Sequence, residues 1–230
     1  MGSSSSPSGP RPAITAERIV DAAVELTAER GLENWTLREL AGVLGAYPAV
    51  LYHHVGDRDA LICAVLDRVV ATLPIPEEGL HWQEWFAQLL ADVRTVLHRY
   101  PGTARWMVRF APSVTAATTL VDRGIRLLQE AGFGDESSLI LHMLTTTACQ
   151  FVATEDDRNS PAFSQRLDNA AEYARHHDDP DHPGLATHAK MMKARQADPE
   201  LAADYQAQMY EYAIRRCLDG LAVRLAELNG

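Results

Sequence analysis

Positive charge is the first shortage in this chain: 21 Lys and Arg stand against 31 Asp and Glu over 230 residues, a formal net charge of −10. Any hold on nucleic acid must therefore come from where the charges sit and not from their sum. Cysteine is also scarce. Cys63, Cys149 and Cys217 lie far apart, odd in number and never in CxxC spacing, so they read as small buried apolar residues and not as a disulfide framework or metal site. No apolar run reaches membrane-spanning length, and the strongest, ALICAVL from Ala60 to Leu66, is broken by Asp67 and Arg68. No membrane partner is expected. The opening MGSSSSPSGPRP lacks the apolar centre of a signal peptide; residues 1–13 read as a disordered tail and the chain as cytoplasmic. A Ser/His/Asp arrangement and a glycine-rich phosphate loop are both missing, so the reading carries no enzyme, no catalytic residue and no cofactor. Alternation long enough for a sheet is missing too, which leaves an all-α chain, with 47% hydrophobic residues to fill a substantial core.

What is present is concentrated between Ile14 and Leu61, which reads as three short helices with a helix-turn-helix between the second and third. Thr15 is placed to cap an apolar series Ile19, Val20, Ala23 and Leu26 at helical spacing, and Gly31 supplies the stop after Arg30. Thr36 caps the second helix, with Glu39 three residues on in capping-box position and Leu37, Leu40, Ala41 and Leu44 forming one face. Gly45 tolerates the left-handed backbone of a tight turn, and the third helix, PAVLYHH, starts near Tyr47 with Pro48 in its first turn.

The run LRELAGVLGAYPAVLYHHVGDRDAL resembles the DNA-binding domain of the tetracycline-repressor (TetR) family, in which the helix-turn-helix is followed by LY, one residue, His, an apolar residue, a polar turn and a fourth helix. Gly31, Thr36, Leu40, Ala41, Leu44, Gly45, Leu51, Tyr52, His54 and Leu61 all fall at the expected places without a gap. The resemblance implies a DNA-binding domain over residues 14–60 and a helical-bundle ligand-binding and dimerisation domain over 61–230. A helix over 57–72, capped by Asp57, bridges the two as the lever between ligand and DNA.

From the N-terminus to Arg58 there are five arginines (Arg11, Arg18, Arg30, Arg38, Arg58) and no lysine, against seven acids. Five of those acids, Glu17, Asp21, Glu25, Glu29 and Glu33, belong to the first helix and its exit, which can keep them off the DNA face. Phosphates are then left to Arg38, Arg58, the helix N-termini at Thr36 and Tyr47, and the hydroxyls of Thr36, Tyr47 and Tyr52, with Arg11 adding a grip from the arm. Base reading falls to the third helix. Pro48, Ala49 and Val50 suit thymine methyls, and Tyr47 and His53 are the hydrogen-bonding readers; no Arg, Asn or Gln is there for a bidentate contact. Leu51 reads as core. The resemblance makes Tyr52 a phosphate contact and packs His54 near the fourth helix.

Beyond the PIPEEG linker the pattern is helical throughout. Segments run from His81 to Arg99, Thr103 to Phe110, a helix capped by Ser113 and ending at Ala131, and another from Asp135 or Glu136 to about Thr154. WQEWF, HRYPG, EAGF and TEDD in this order are similar to the ligand domain of the tetracycline-repressor subgroup. In that subgroup a histidine and a threonine help hold a magnesium-chelated drug; here Met107 and Phe110 take those places, so no tetracycline response is expected. The candidate lining of the pocket is Trp82, Trp85, Phe86, Leu89, Val93, Trp106, Met107, Phe110 and Phe151, with Thr146, Thr147 and Gln150 to orient a hydrophobic, aromatic small molecule. Taken singly, each residue reads first as plain bundle core, since aromatic stripes are what bundles are packed with.

EDDRNSP reads as a turn, Ala162 to His176 as a short helix, and HHDDPDHPG as a solvated acidic loop, its His176, His177, Asp178, Asp181 and His182, with His188 beyond, not forming a recognised metal spacing. A helix from Ala186 into ARQADPE follows. The last helix, Pro199 to Leu228, carries Leu201, Tyr205, Met209, Tyr212, Leu218, Leu221, Leu225 and Leu228, a stripe too extensive for one subunit's edge. The resemblance pairs helices 135–154 and 199–228 with those of a second copy in a four-helix interface. The whole reads as a homodimeric repressor on a palindromic double-stranded DNA operator, released by a small-molecule effector. A transcriptional activator, or a DNA-binding regulator without ligand response, would share this sequence pattern; a helical enzyme is the remoter alternative.

Overall fold

The computed structural model describes residues 13–110, 115–159 and 173–230, and among these every regular element is a helix. Helix α1 (Ala16–Arg30) starts where the Thr15 hydroxyl accepts the Arg18 N–H at 3.2 Å and stops at Gly31, whose φ of 85° a side chain would strain. Its buried face is Ile19, Val20, Ala23 and Leu26, as the spacing predicts. Helix α2 (Leu37–Leu44) carries the complete capping box: the Thr36 hydroxyl accepts the Glu39 N–H, and the Glu39 carboxylate accepts the Thr36 N–H at 2.7 Å. Gly45, at φ 63° and ψ 33°, makes the left-handed turn into α3 (Pro48–Val55). Asp57 caps α4 (Arg58–Val70) by accepting the Ala60 N–H at 2.8 Å. Trp35 closes the core beneath these helices. Its indole N–H donates to the Thr27 hydroxyl at 3.1 Å, and that hydroxyl donates to the Ala23 carbonyl, so no polar atom of the pair is buried unpaired.

The remaining helices are α5 (Trp82–His98), α6 (Thr103–Phe110), α7 (Thr118–Ala131), α8 (Ser137–Asn159), α9 (Pro183–Ala197) and α10 (Pro199–Leu228). Helix α8 is the axis, packed on α5, α6, α7 and α10. Gly124 lets α7 come close, since a Cβ there would meet Leu141 at 3.2 Å and Phe86 at 3.3 Å. Helix α10 buries Tyr210, Ile214, Leu218 and Leu221, and the Tyr210 hydroxyl donates to the Leu90 carbonyl at 2.5 Å.

Three expected boundaries move. The helix expected from Ser113 starts at Thr118, after a 3-10 turn over Thr115–Ala117; the Ala116 N–H donates to Asp67 of α4 at 2.7 Å, and Ser113 itself lies outside the described residues. Helix α8 runs five residues past Thr154, to Asn159, because Glu155, Asp156 and Asp157 are bound by partners on α5, the α5–α6 turn and α6. Helix α9 starts at Pro183 and not at Ala186, the proline losing no bond in the first turn. The tail up to residue 12, Arg11 included, and most of the short helix expected over Ala162 to His176 lie outside the described residues.

Among the described residues, two places join the first three helices to the rest. Helix α4 is one, pinned to α1 by Arg68 and Asp21 at 2.5 Å. The other lies at the α1–α2 turn: the Leu32 N–H donates to the Pro101 carbonyl at 2.8 Å, the Trp106 indole N–H donates to Glu33 at 3.3 Å, and Arg105 pairs with Glu33 at 3.7 Å. No described helix is long and apolar enough to cross a membrane.

Candidate functional site

The α2–turn–α3 unit leaves a polar face open. Tyr47, at the N-cap of α3 without a side-chain capping bond, is 81% exposed, and Tyr52 is 51% exposed. Arg38, Ala49 and His53 are exposed, Pro48 and Val50 are half-buried, and Leu51 is fully buried beneath them. Arg58 is half-buried with its guanidinium 5.7 Å from the centre of the Trp35 ring. Thr36 differs from expectation in one respect. Its hydroxyl proton goes to Glu39 at 2.9 Å, so the side chain is committed to the cap and only the helix N-terminus is left for a phosphate. His54 is exposed where the resemblance packs it against the fourth helix, because Leu51 and Val55 fill that side of α3 and leave the ring edge-on to His53 at 5.6 Å.

Three acids of this region are held by partners. Asp21 faces Arg68 of α4, Glu33 faces Arg105 and Trp106 of α6, and Glu39 is held by Thr36 and by Arg30 at 3.5 Å. The Thr36 contacts keep the Glu39 carboxyl below its usual range, so it stays charged.

The twelve candidate pocket residues do not surround one cavity. Trp82, Trp85, Phe86 and Leu89 are closed into the core, Trp82 edge-on to Phe133 at 5.1 Å and Trp85 edge-on to Phe86 at 4.9 Å, with Val93 half-buried beyond. The Trp85 indole N–H is buried without an acceptor among the described residues. On α6, Trp106 and Phe110 stack at 5.5 Å with Arg109 over both rings, and Met107 is half-buried beside them. Thr147, Gln150 and Phe151 line a shallow groove of about 180 Å³ with Gln206 and Met209 of α10. Thr146 falls on the outer stripe of α8 with the exposed Leu139 and Met143. Aromatic spacing found these residues but could not separate core from cavity.

A larger cavity of about 540 Å³ lies between the α1–α2 turn, the α5–α6 turn and the last turns of α8, lined by Glu33, His98, Arg105, Asp156 and Asp157 among others. Sequence reasoning missed it, because EDD read as a turn. Glu155, next to it, is only 3% exposed and sits between Arg94 at 3.2 Å and His98 at 2.5 Å. Burial alone would raise its pKa, but His98 and Arg94 together outweigh burial and hold the carboxyl below its usual range. Asp156 goes the other way: burial raises it, against the Gly102 N–H that donates to it at 2.8 Å.

Helices α8 and α10 also present apolar residues to solvent: Leu139 and Tyr212 are each 69% exposed, and Val223 is 62% exposed. In the loop before α9, His177 pairs with Asp178, and His176, Asp179 and His182 draw together, while His188 of α9 packs edge-on to Tyr173 at 4.9 Å.

Comparison with known proteins gives two family matches: "Bacterial regulatory proteins, tetR family" over residues 19–65 and "Tetracyclin repressor-like, C-terminal domain" over residues 73–225. Among curated relatives, the class D tetracycline repressor of Escherichia coli is 31% identical over 123 residues, covering 52% of this chain and 56% of that protein. An HTH-type transcriptional regulator of Saccharopolyspora erythraea is 35% identical over 95 residues, covering 41% of this chain and 40% of that one. The matched stretch thus spans about half the length of these relatives. Among solved structures, apo ActR from Streptomyces coelicolor superposes with a TM-score of 0.74 at 25% identity, covering 95% of this chain and all of that one.

Proposed function

Because this chain belongs to the tetracycline-repressor family of bacterial transcriptional regulators, we propose that it is a homodimeric cytoplasmic repressor which grips a palindromic operator through α2 and α3 and is released by a hydrophobic, aromatic effector. The observation that carries the reading is the open face of α2 and α3. Arg38, Tyr47, Tyr52 and His53 are exposed there, while Glu39, Asp21 and Glu33 are tied to partners on α2, α4 and α6. Arg38 and the tyrosine hydroxyls hold phosphates, and Tyr47, His53 and the apolar Pro48, Ala49 and Val50 meet base edges.

Dimerisation is supported by the solvent-facing apolar residues of α8 and α10, which lie on the two helices expected to form a four-helix interface. Two-fold symmetry then matches a palindromic site. The effector part of the reading draws on structures of similar fold that hold a small molecule, since neither cavity reaches the closed aromatic core around Trp85. Structures of similar fold have been solved with actinorhodin in ActR and with minocycline in an Acinetobacter baumannii TetR variant, and BioQ has been solved on its double-stranded DNA operator.

Selection of bound sequences from a random double-stranded pool, at low and at moderate salt, tests the reading. Enrichment of a palindrome with half-sites about one helical turn, roughly 10 base pairs, apart is expected. A pool that stays unenriched at low salt overturns it.

A further inference from the structure

The loop before α9 gathers three side chains that α-helical repression does not use. The residues follow at i, i+3 and i+6: His176, Asp179 and His182. Asp179 Oδ2 lies 3.0 Å from His176 Nδ1 and 3.0 Å from His182 Nδ1, and the three donor atoms all lie within 4.8 Å of one another. From this geometry we propose that His176, Asp179 and His182 form a surface site for a divalent first-row transition ion of the Zn²⁺ type, with water completing the coordination.

The donor set selects the ion. Two imidazole nitrogens and one carboxylate oxygen suit Zn²⁺, Ni²⁺ or Co²⁺; they are too few oxygens for Ca²⁺ or Mg²⁺, and no thiolate is present to favour Cu⁺. Spacing agrees as well. Two donors each about 2.0–2.1 Å from a tetrahedral ion stand about 3.3–3.4 Å apart, so the carboxylate–imidazole separations need to open by a few tenths of an ångström and the two imidazole nitrogens, within 4.8 Å of each other, to draw together by up to about 1.5 Å.

The chain holds these donors in place before any ion arrives. Asp179 Oδ1 accepts the backbone N–H of Asp181 at 3.0 Å and of His182 at 3.2 Å, which fixes the carboxylate and leaves Oδ2 to the two rings. His182 is the residue before Pro183, and the proline ring restricts its backbone as α9 begins. Outer hydrogen bonds of this kind, which orient a ligand, accompany protein metal sites in general. A bound ion would tie the turn at His176 and Asp179 to the N-cap of α9.

The test uses the full chain, stripped with chelator and titrated with ZnCl₂ by calorimetry, with histidine ring-nitrogen NMR on the same sample. One ion per chain is expected, with Nδ1 of two rings shifted. Asp179→Asn keeps an acceptor for the two loop N–H groups but loses the anion, and it and His176→Gln should each weaken binding by more than about tenfold. His177→Ala, one residue outside the set, should bind as the parent does. No saturable uptake by the parent, or equal loss in His177→Ala, overturns the proposal. So does Zn²⁺ perturbing other histidine rings while His176 and His182 stay unmoved, a result that needs no variant to fold.

Discussion

Glu155→Gln is the perturbation with the clearest consequence for how α8 is held to α5. The carboxylate is 3% exposed and is shared by Arg94 and His98, whose side chains are 27% and 31% exposed. Removing one member of a fully buried ion pair costs about 3–5 kcal/mol; the partial hydration of Arg94 and His98 lowers the expectation here to about 2–3 kcal/mol. At fixed protein concentration that corresponds to a fall of roughly 4–12 °C in the unfolding midpoint for a chain of this size. The sign of the pH dependence follows from the direction of the shift. The folded carboxyl sits below its ordinary value of 4.5, so its contribution is fully present above that value and drains away as the pH falls through the folded pKa. Urea titrations of parent and variant at pH 7, and again at successively lower pH below roughly pH 5, should therefore converge as acid is added. A loss that stays constant into acid would show that shape and not charge is being lost. No loss at pH 7 would show that the cluster does not anchor the end of α8.

On the DNA face, Tyr47→Ala and Tyr52→Phe should each weaken operator binding by about three- to tenfold, the worth of one hydrogen bond, while sedimentation shows the oligomer unchanged. Unaltered anisotropy titrations for both would remove the tyrosines from the interface. Thr27→Val deprives the buried Trp35 N–H of its acceptor and should cost about 1–3 kcal/mol in urea unfolding; a neutral result would mean that the indole finds another partner. Calorimetry with tetracycline and Mg²⁺ should give no heat of binding, since Met107 and Phe110 offer no ligand atom to the ion, and saturable binding would refute that placement.

Residues 13–70 were legible because their signals are local. Thr15, Thr36 and Asp57 cap helices within three residues of themselves, and Gly31 and Gly45 end helices by their own backbone freedom, so boundaries there follow from short strings of sequence. The end of α8 was not legible for the opposite reason. Glu155 looks like part of a solvated acidic turn until Arg94 and His98, on another helix, are brought beside it, and Asp156 until the Gly102 N–H reaches it. Pocket residues failed similarly. Periodicity finds Trp82, Trp85 and Phe86 as an apolar stripe, but a stripe packed shut and a stripe facing a cavity have the same period. The His176, Asp179 and His182 cluster needed the turn itself, since i, i+3 and i+6 meet only when the backbone between them folds back.

A body fastened at a single point can swivel in any direction, whereas one fastened at two can turn only about the line through them. The first three helices are fastened twice, along α4 and again where Leu32 and Glu33 meet Pro101, Arg105 and Trp106. On the proposed function, a shift in the larger part of the molecule would therefore bear on α3 through both places, like a door on two hinges.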